Sequence, residues 1–146
     1  MPKLVCLNPE PFKTTIRIYY EDTDAGGVVY HANYLRFMER CRSEWLETIG
    51  FSVAELQDEL GVVFVVRKAD VDFISPARLL DKLTVDCSVL HVGKVKLEIS
   101  QKIYNDKKLL CFATIKLATL DKTSFKLAPM PQLLREAIAV NHEDNH

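Results

Sequence analysis

Hydrophobic residues recur at spacings of three and four between positions 34 and 49, which is the period of an amphipathic α-helix. The apolar stripe consists of Tyr34, Phe37, Met38, Cys41, Trp45 and Ile49. Asn33 is a competent N-cap, and Gly50 stands where a left-handed residue would end the helix. We therefore predict a helix of about four turns between these two residues.

Two shorter helices are predicted on either side of a long β region. Ser52 to Glu55 has the spacing of a capping box, and the helix that it starts would run to about Leu60, before Gly61. Pro131 suits the first turn of a last helix that ends near Val140.

Five segments have the alternation or the β-branched enrichment of strands. They are residues 14–20, 62–74, 83–92, 95–104 and 109–120. Hairpin-length separators make the last three antiparallel neighbours, while Pro76 breaks the chain between the second and third. In the fourth segment Leu97 and Ile99 alternate with charged residues, so one face meets water. The order predicts an α+β fold in which one antiparallel sheet covers one long helix.

Composition indicates one globular domain over residues 1–146, with an N-terminal extension at 1–13 and a loose tail at 141–146. The chain is 48% hydrophobic and 27% charged, and its formal net charge of −1 gives no general attraction to nucleic acid. No apolar run is long enough for a signal peptide or a membrane helix, so we expect a cytoplasmic protein. Four dispersed cysteines, including Cys6, lack zinc-site spacing and are expected to be buried and reduced.

The stretch from Tyr19 to Tyr34 concentrates acids, glycines and a histidine between two aromatic-rich segments. It begins like a calcium loop, but position five is Gly26 rather than Asp or Asn and position twelve is Asn33 rather than a bidentate Glu, so no metal site is predicted. Ser52 follows a helix rather than a strand, which excludes a nucleophile elbow. Phosphate-binding glycine motifs are absent from the sequence.

Asp24 is the remaining candidate in this stretch. It precedes Ala25, Gly26 and Gly27, and adjacent glycines let a ligand approach the main chain closely. The residues alone leave two interpretations open: a solvated acidic turn, or a reactive carboxylate beside free amides at a helix entrance.

The sequence "YYEDTDAGGVVYHANYLRFMERCRSEWL", residues 19–46, resembles the signature of the hotdog-fold thioesterases, the 4-hydroxybenzoyl-CoA thioesterase superfamily, and within it the YbgC-type acyl-CoA thioesterases. The resemblance implies a hotdog fold, a long central helix wrapped by a curved five-stranded antiparallel sheet. It also implies dimers that pair their sheets, commonly dimers of dimers, with active sites between subunits. The segment from residue 71 to 83 is similar to the part of the family fold that faces the acyl group.

Catalytic roles follow from the same resemblance, residue by residue. The family's catalytic aspartate falls on Asp24, and a tyrosine and a histidine implicated in the YbgC-type branch fall on Tyr20 and His31. Amides at Gly26, Gly27 and Val28, or near Tyr34 at the helix entrance, are candidates to bind the carbonyl oxygen of the substrate. Asp24 would act as nucleophile or as general base, in a site that is partly dry.

Other candidate residues receive structural roles. Glu21 and Asp22 are assigned to a solvated turn, and His91 is expected to pack within a strand because it alternates with buried positions. Basic residues such as Arg67, Lys68, Arg78 and Lys94 are possible partners for the phosphates of coenzyme A, but the sequence singles out none of them.

The resemblance implies an enzyme that needs no cofactor and hydrolyses acyl-CoA thioesters with short, medium or aromatic acyl groups. Acyl-carrier-protein thioesters are a second possible substrate. The competing hypothesis is a noncatalytic protein of the same fold that binds acyl thioesters or assists envelope assembly. A hotdog hydratase is disfavoured, because the segment around Asp24 does not resemble the hydratase arrangement.

Overall fold

The computed structural model describes residues 11–24 and 27–142. Five strands and three helices make up this part of the chain. The strands are β1 Phe12–Arg17, β2 Val62–Phe73, β3 Lys82–Val92, β4 Lys96–Asn105 and β5 Lys108–Asp121. The helices are α1 His31–Thr48, α2 Val53–Asp58 and α3 Gln132–His142, and a single 3₁₀ turn covers Tyr20–Asp22.

All five strands join one antiparallel sheet in the order β1-β3-β4-β5-β2. The predicted pairing of the last three strands is confirmed, since Val89 faces Ile99 across β3 and β4, and Ile99 faces Ile115 across β4 and β5. Both β1 and β2 are edge strands, and β2 carries a bulge between Val66 and Lys68. Since β1 starts at Phe12 and α3 ends at His142, the outer segments predicted at 1–13 and 141–146 each contribute residues to regular structure.

Helix α1 packs its apolar stripe on the inner face of the sheet, as the periodicity predicts. Phe37, Met38 and Cys41 are at most 1% exposed, and the Cys41 Sγ lies 3.5 Å from the carbonyl oxygen of Val85 on β3. Each large side chain buried in this way stabilises the fold by about 1.5–3 kcal/mol. The α+β architecture is thus held by one core between helix and sheet.

A buried polar contact between α1 and β4 escaped the sequence analysis. Gln101 is fully buried on the inner face, where its Oε1 accepts from Arg42 Nη1 at 2.8 Å. Its Nε2 donates to the carbonyl oxygens of Met38 at 3.0 Å and Asp86 at 3.3 Å. These bonds satisfy an amide that would otherwise be costly to bury.

The predicted end of α1 before Gly50 and the predicted start of α2 after it are confirmed. Gly50 has a φ of +100°, and its N–H donates to Glu47 O while the Phe51 N–H donates to Leu46 O, which is a Schellman motif. Ser52 caps α2, since its Oγ accepts from the Glu55 amide at 3.0 Å. Cys41, Cys87 and Cys111 are buried and free, and Cys6 lies outside the described residues.

Three local predictions were wrong, each because tertiary structure intervened. Asn33 is not the N-cap: α1 starts at His31 with Tyr30 as its N-cap residue, three residues earlier, and the Asn33 side chain donates to Asp22 O at 2.9 Å. The first strand ends at Arg17 rather than Tyr20, because the chain turns into the 3₁₀ segment. His91 is exposed rather than packed, because a register shift between Val89 and His91 interrupts the alternation in β3.

Candidate active site

Asp24 lies in a tight turn that the chain closes with its own main chain. Thr23 and Val29 form an antiparallel bridge, and the Asp24 N–H donates to Val28 O at 2.9 Å. The Gly27 N–H in turn donates to Asp24 O at 3.0 Å, with Gly27 at a φ of +80°, a conformation that favours glycine. Asp24 is exposed at this turn, and Gly26 lies outside the described residues.

A second loop, residues 77–81, holds the Asp24 turn in place. Val28 and Arg78 form an antiparallel bridge, and the Val29 N–H donates to Ala77 O at 2.9 Å. The Leu79 N–H donates to Gly27 O at 3.3 Å. Main-chain hydrogen bonds therefore fix the position of the turn relative to the sheet.

The entrance to α1 is fixed by Asp22, which corrects its assignment to a merely solvated turn. Its carbonyl oxygen accepts from the Tyr30 amide at 3.2 Å and from Asn33 Nδ2 at 2.9 Å. Its carboxylate accepts from the Tyr19 amide at 2.9 Å. Asp22 thus joins the 3₁₀ turn to helix α1.

Beside the turn lies a cavity of about 210 Å³, here called the aromatic pocket. Its wall is formed by Val28, His31, Tyr34, Phe73, Ile74 and Ser75. The Phe73 ring is 4.7 Å from the His31 ring and 5.4 Å from the Tyr34 ring, measured between centroids. Phe73 on β2 therefore positions both side chains of the first turns of α1.

Tyr34 contributes a polar group to the wall of this pocket. Its hydroxyl oxygen accepts from the Ala77 amide at 2.9 Å. Burial raises the pKa of Tyr34, although the bond from Ala77 opposes that rise. The hydroxyl therefore keeps its proton at neutral pH and can donate it in a hydrogen bond.

The sequence-predicted site residues are only partly brought together. His31 and Val28 line the aromatic pocket, and Asp24 is joined to Val28 by a main-chain bond. Tyr20 is 82% exposed in the 3₁₀ turn and does not line the pocket. The Gly27 amide is already used within its own turn. The expected desolvation of Asp24 is not present in the single chain, where this residue is exposed.

Two residues that line the aromatic pocket, Tyr34 and Phe73, were not predicted from the sequence as side chains of the candidate site. Tyr34 was counted as core because it belongs to the apolar stripe, and it is indeed 2% exposed. Phe73 lies in the segment that the family resemblance places near the acyl group, which was the one available signal. Within the described part of the chain no group of three or more His, Cys, Asp or Glu residues is arranged to hold a metal ion.

Comparison with known proteins decides the family. A family model described as the thioesterase superfamily matches residues 26–112, which is more than half of the chain. The chain belongs to the thioesterase superfamily. The matched range of this thioesterase includes His31, Tyr34 and Phe73, whereas Tyr20 and Asp24 precede it.

Individual relatives agree with this membership. The thioesterase is 39% identical over 126 residues to the acyl-CoA thioesterase YbgC of Haemophilus influenzae, covering 86% of this chain and 93% of that protein. It is 35% identical to the Helicobacter pylori (strain J99) acyl-CoA thioesterase YbgC, covering 84% of this chain and 96% of that one. The predicted YbgC-type resemblance is thereby confirmed, and the chain is an enzyme with thioesterase activity.

A solved structure confirms the hotdog fold. The crystal structure of a probable thioesterase from Bartonella henselae superposes with a TM-score of 0.80 at 31% identity, covering 84% of this chain and all of that one. None of the helices among residues 11–24 and 27–142 is both long and apolar enough to cross a membrane.

Proposed function

We propose that this thioesterase hydrolyses acyl-CoA thioesters with short, medium or aromatic acyl groups, and that Asp24 is the catalytic carboxylate. The observation that carries the proposal is the placement of the Asp24 turn, which main-chain bonds hold against the aromatic pocket containing His31. The YbgC relatives, named acyl-CoA thioesterases, support the choice of carrier. Thioesters of acyl-carrier protein belong to the same proposal as a second substrate.

The chemistry of a thioester suits a site with one carboxylate and no metal. The leaving group is a thiolate whose parent thiol has a pKa of about 8.5, so it departs without a strong general acid. If Asp24 is the nucleophile, its oxygen bonds to the acyl carbon, the carbon–sulphur bond breaks, and water then cleaves the mixed anhydride. If Asp24 is the general base, it takes a proton from the water that attacks the same carbon.

His31 is proposed to hold the attacking water or the thioester beside Asp24. Its ring packs on Phe73 at the mouth of the aromatic pocket, which restricts its orientation. Because the Gly27 amide donates to Asp24 O in this conformation, the oxyanion donors are better sought at the start of α1. The amides of His31 and Ala32 lie in its first turn, where N–H groups have no acceptor earlier in the helix.

A homodimer, or a dimer of dimers, is part of this proposal. Asp24 and Tyr20 are exposed in the single chain, whereas the chemistry requires a carboxylate with restricted hydration. A second subunit that covers this surface would dry Asp24 and give Tyr20 a role. Mass measurement in solution tests the assembly independently of activity.

The decisive experiment follows thiol release from a panel of short-chain, medium-chain and aromatic acyl-CoAs and from acyl-carrier-protein thioesters. Asp24→Asn should lower turnover of the best substrate by at least about 100-fold, the smallest effect usual for a positioned proton-transfer group. Asp58→Asn, at an exposed acid of α2, is the matched control and should leave turnover unchanged. Equal turnover by wild type and Asp24→Asn would remove Asp24 from the mechanism. Saturable acyl-CoA binding without any hydrolysis would favour the noncatalytic hypothesis.

A further inference from the structure

The polar side chain of Asn33 is buried in the first turn of α1, where it is 9% exposed. It lies between His31 and Tyr34 in the chain, and both of these residues line the aromatic pocket. Its Nδ2 donates at 2.9 Å to the carbonyl oxygen of Asp22, which is eleven residues earlier. Because an amide buried without a partner is costly, this position requires a donor that reaches Asp22.

The Asn33 bond closes the base of the loop that carries Asp24. The carbonyl oxygen of Asp22 also accepts from the Tyr30 amide, at 3.2 Å, so both of its lone pairs are used. Asp24 lies two residues beyond Asp22 on one side of this closure. His31 directly follows Tyr30 on the other side. The separation between the carboxylate and the imidazole is therefore set at a carbonyl that Asn33 holds.

Asp22 is itself fixed from the side of β1. Its N–H donates to Tyr19 O at 2.9 Å, and its carboxylate accepts from the Tyr19 amide at 2.9 Å. The amide and the hydroxyl of Thr23 both donate to Tyr20 O, at 3.1 Å and 2.8 Å. The 3₁₀ turn thus orients the Asp22 carbonyl, and the Asn33 bond joins that carbonyl to the helix.

We propose that Asn33 is a positioning residue for thioester hydrolysis, which holds Asp24 in register with His31. The inference rests on the proposed function, since it takes Asp24 as the reacting carboxylate. The bond from the Tyr30 amide to Asp22 joins main-chain groups, whereas the Asn33 bond depends on the side chain. A displacement of about 1 Å in a group that orients the reaction can cost about 100-fold in rate. Asn33 therefore acts through Asp24 and His31 rather than on the substrate.

The kinetic arm of the test compares three variants. Asn33→Asp keeps the shape of the side chain but replaces the donating amide by a carboxylate, which cannot donate when ionised. Its kcat for the best acyl-CoA should fall by about 10–100-fold with KM unchanged, because the lost bond orients the reacting groups and does not bind substrate. Asn33→Ser keeps a shorter donor and should retain more turnover than Asn33→Asp. Asn105→Asp, the same change at the half-buried end of β4, should behave as the wild type does.

A second arm separates positioning from a general loss of structure. If Asn33 acts through Asp24, Asn33→Asp should lower turnover no further in protein that already carries Asp24→Asn, because residues that act as a unit are not additive. Native-state hydrogen exchange reads the loop directly. The Tyr30 amide should exchange at least about 10-fold faster in Asn33→Asp, while the Cys41 amide in the middle of α1 keeps its wild-type rate.

The outcomes distinguish this inference from the proposed function. A wild-type kcat in Asn33→Asp, in an enzyme that Asp24→Asn does inactivate, would overturn the role of Asn33 and leave the proposed function intact. An equal fall of kcat in both backgrounds would also overturn it, since Asn33 would then act independently of Asp24. Equal turnover by wild type and Asp24→Asn would instead remove the proposed function, and the role of Asn33 with it.

Discussion

Two cavities lie at opposite ends of α1, and they differ in size and in chemistry. The aromatic pocket, about 210 Å³, adjoins the first turns of the helix. The large apolar cavity, about 340 Å³, lies near its last turns and is lined by Arg42, Trp45, Leu46, Leu56, Phe64 and Leu117 among others. The larger space is at the end of the helix remote from Asp24.

The polar groups of the two cavities are used differently. Arg42 in the large apolar cavity is bonded to the buried Gln101, and burial lowers the pKa of its guanidinium. Its hydrogen bond therefore ties α1 to the sheet. In the aromatic pocket, His31 and Tyr34 line the space beside the Asp24 turn, and the Tyr34 hydroxyl accepts from the Ala77 amide. Polar residues that line a cavity beside the proposed catalytic Asp24, rather than cavity volume, therefore locate the candidate chemistry.

The largest effect is expected from Leu56→Ala in the wall of the large apolar cavity. Leu56 is 2% exposed, and its truncation should lower the free energy of unfolding by about 2–5 kcal/mol. Turnover per folded molecule should stay close to wild type. Denaturant unfolding and thiol-release assays measure the two quantities, with Gln57→Ala as the exposed control. A collapse of turnover without loss of stability would make this cavity part of the active site.

His31→Ala should reverse that pattern. Because His31 lines the aromatic pocket beside the Asp24 turn, its removal should lower kcat/KM by about 100-fold with little change in thermal stability. His91→Ala, at an exposed histidine of β3, serves as the control. An unchanged kcat/KM would reduce His31 to a helix-entry residue.

Tyr34→Phe tests whether the wall of the aromatic pocket also stabilises the fold. The variant leaves the Ala77 amide without its hydroxyl acceptor, which should cost about 1–3 kcal/mol of unfolding free energy. Tyr30→Phe, whose side chain is 59% exposed, should cost nothing measurable. Chemical denaturation of the two variants side by side decides the point, and equal midpoints would contradict it.

The smallest expected effect is on the pH dependence of stability, and it concerns Asp86, which is bonded to Gln101 and through it to Arg42 of the large apolar cavity. Asp86, whose carbonyl accepts from Gln101, has a carboxyl pKa raised by burial, against the opposing effect of the Lys102 amide. A raised folded-state pKa gives stability that is present below the unfolded pKa and is lost as pH rises through the folded one. The free energy of unfolding of the wild type should therefore fall between acid and neutral pH. In Asp86→Asn this fall should be absent.

Asp121 provides the control of opposite sign for this measurement. Hydrogen bonds donated by the backbone N–H groups of Ser124 and Thr123 lower the pKa of its carboxyl group. The stability that it contributes is present above the unfolded pKa and is lost as pH falls through the folded one. Asp121→Asn should hence weaken the fold at neutral pH but not in acid. Melting temperatures across the acid range compare both variants, and parallel pH profiles would contradict the assignment.

Local rules were sufficient for most of the fold. The stripe of α1, its end at Gly50 and the Ser52 cap each depend on residues within a few positions of one another, and all were predicted correctly. Asn33 has the chemistry of an N-cap, but a tertiary hydrogen bond to Asp22 takes its side chain. His91 follows the right alternation until a bulge changes the register, which no local pattern reveals.

The site was less accessible from sequence. Asp24 was already a candidate from its own segment, whereas the catalytic roles of Asp24 and His31 came from a family resemblance and stay predictions. The contact between His31 and Phe73 joins α1 to a distant part of β2, so no spacing rule could propose it.

The attachment of the Asp24 turn through carbonyls and amides has a consequence for altering this enzyme. Neither the bridge from Val28 to Arg78 nor the bond from Leu79 to Gly27 depends on the identity of a side chain. The outward groups at positions 78 and 79 can therefore be varied among residues other than proline, which has no N–H, to reshape the approach to the carboxylate while its scaffold persists. A combinatorial library confined to these two codons is the natural starting point for changing which acids it releases.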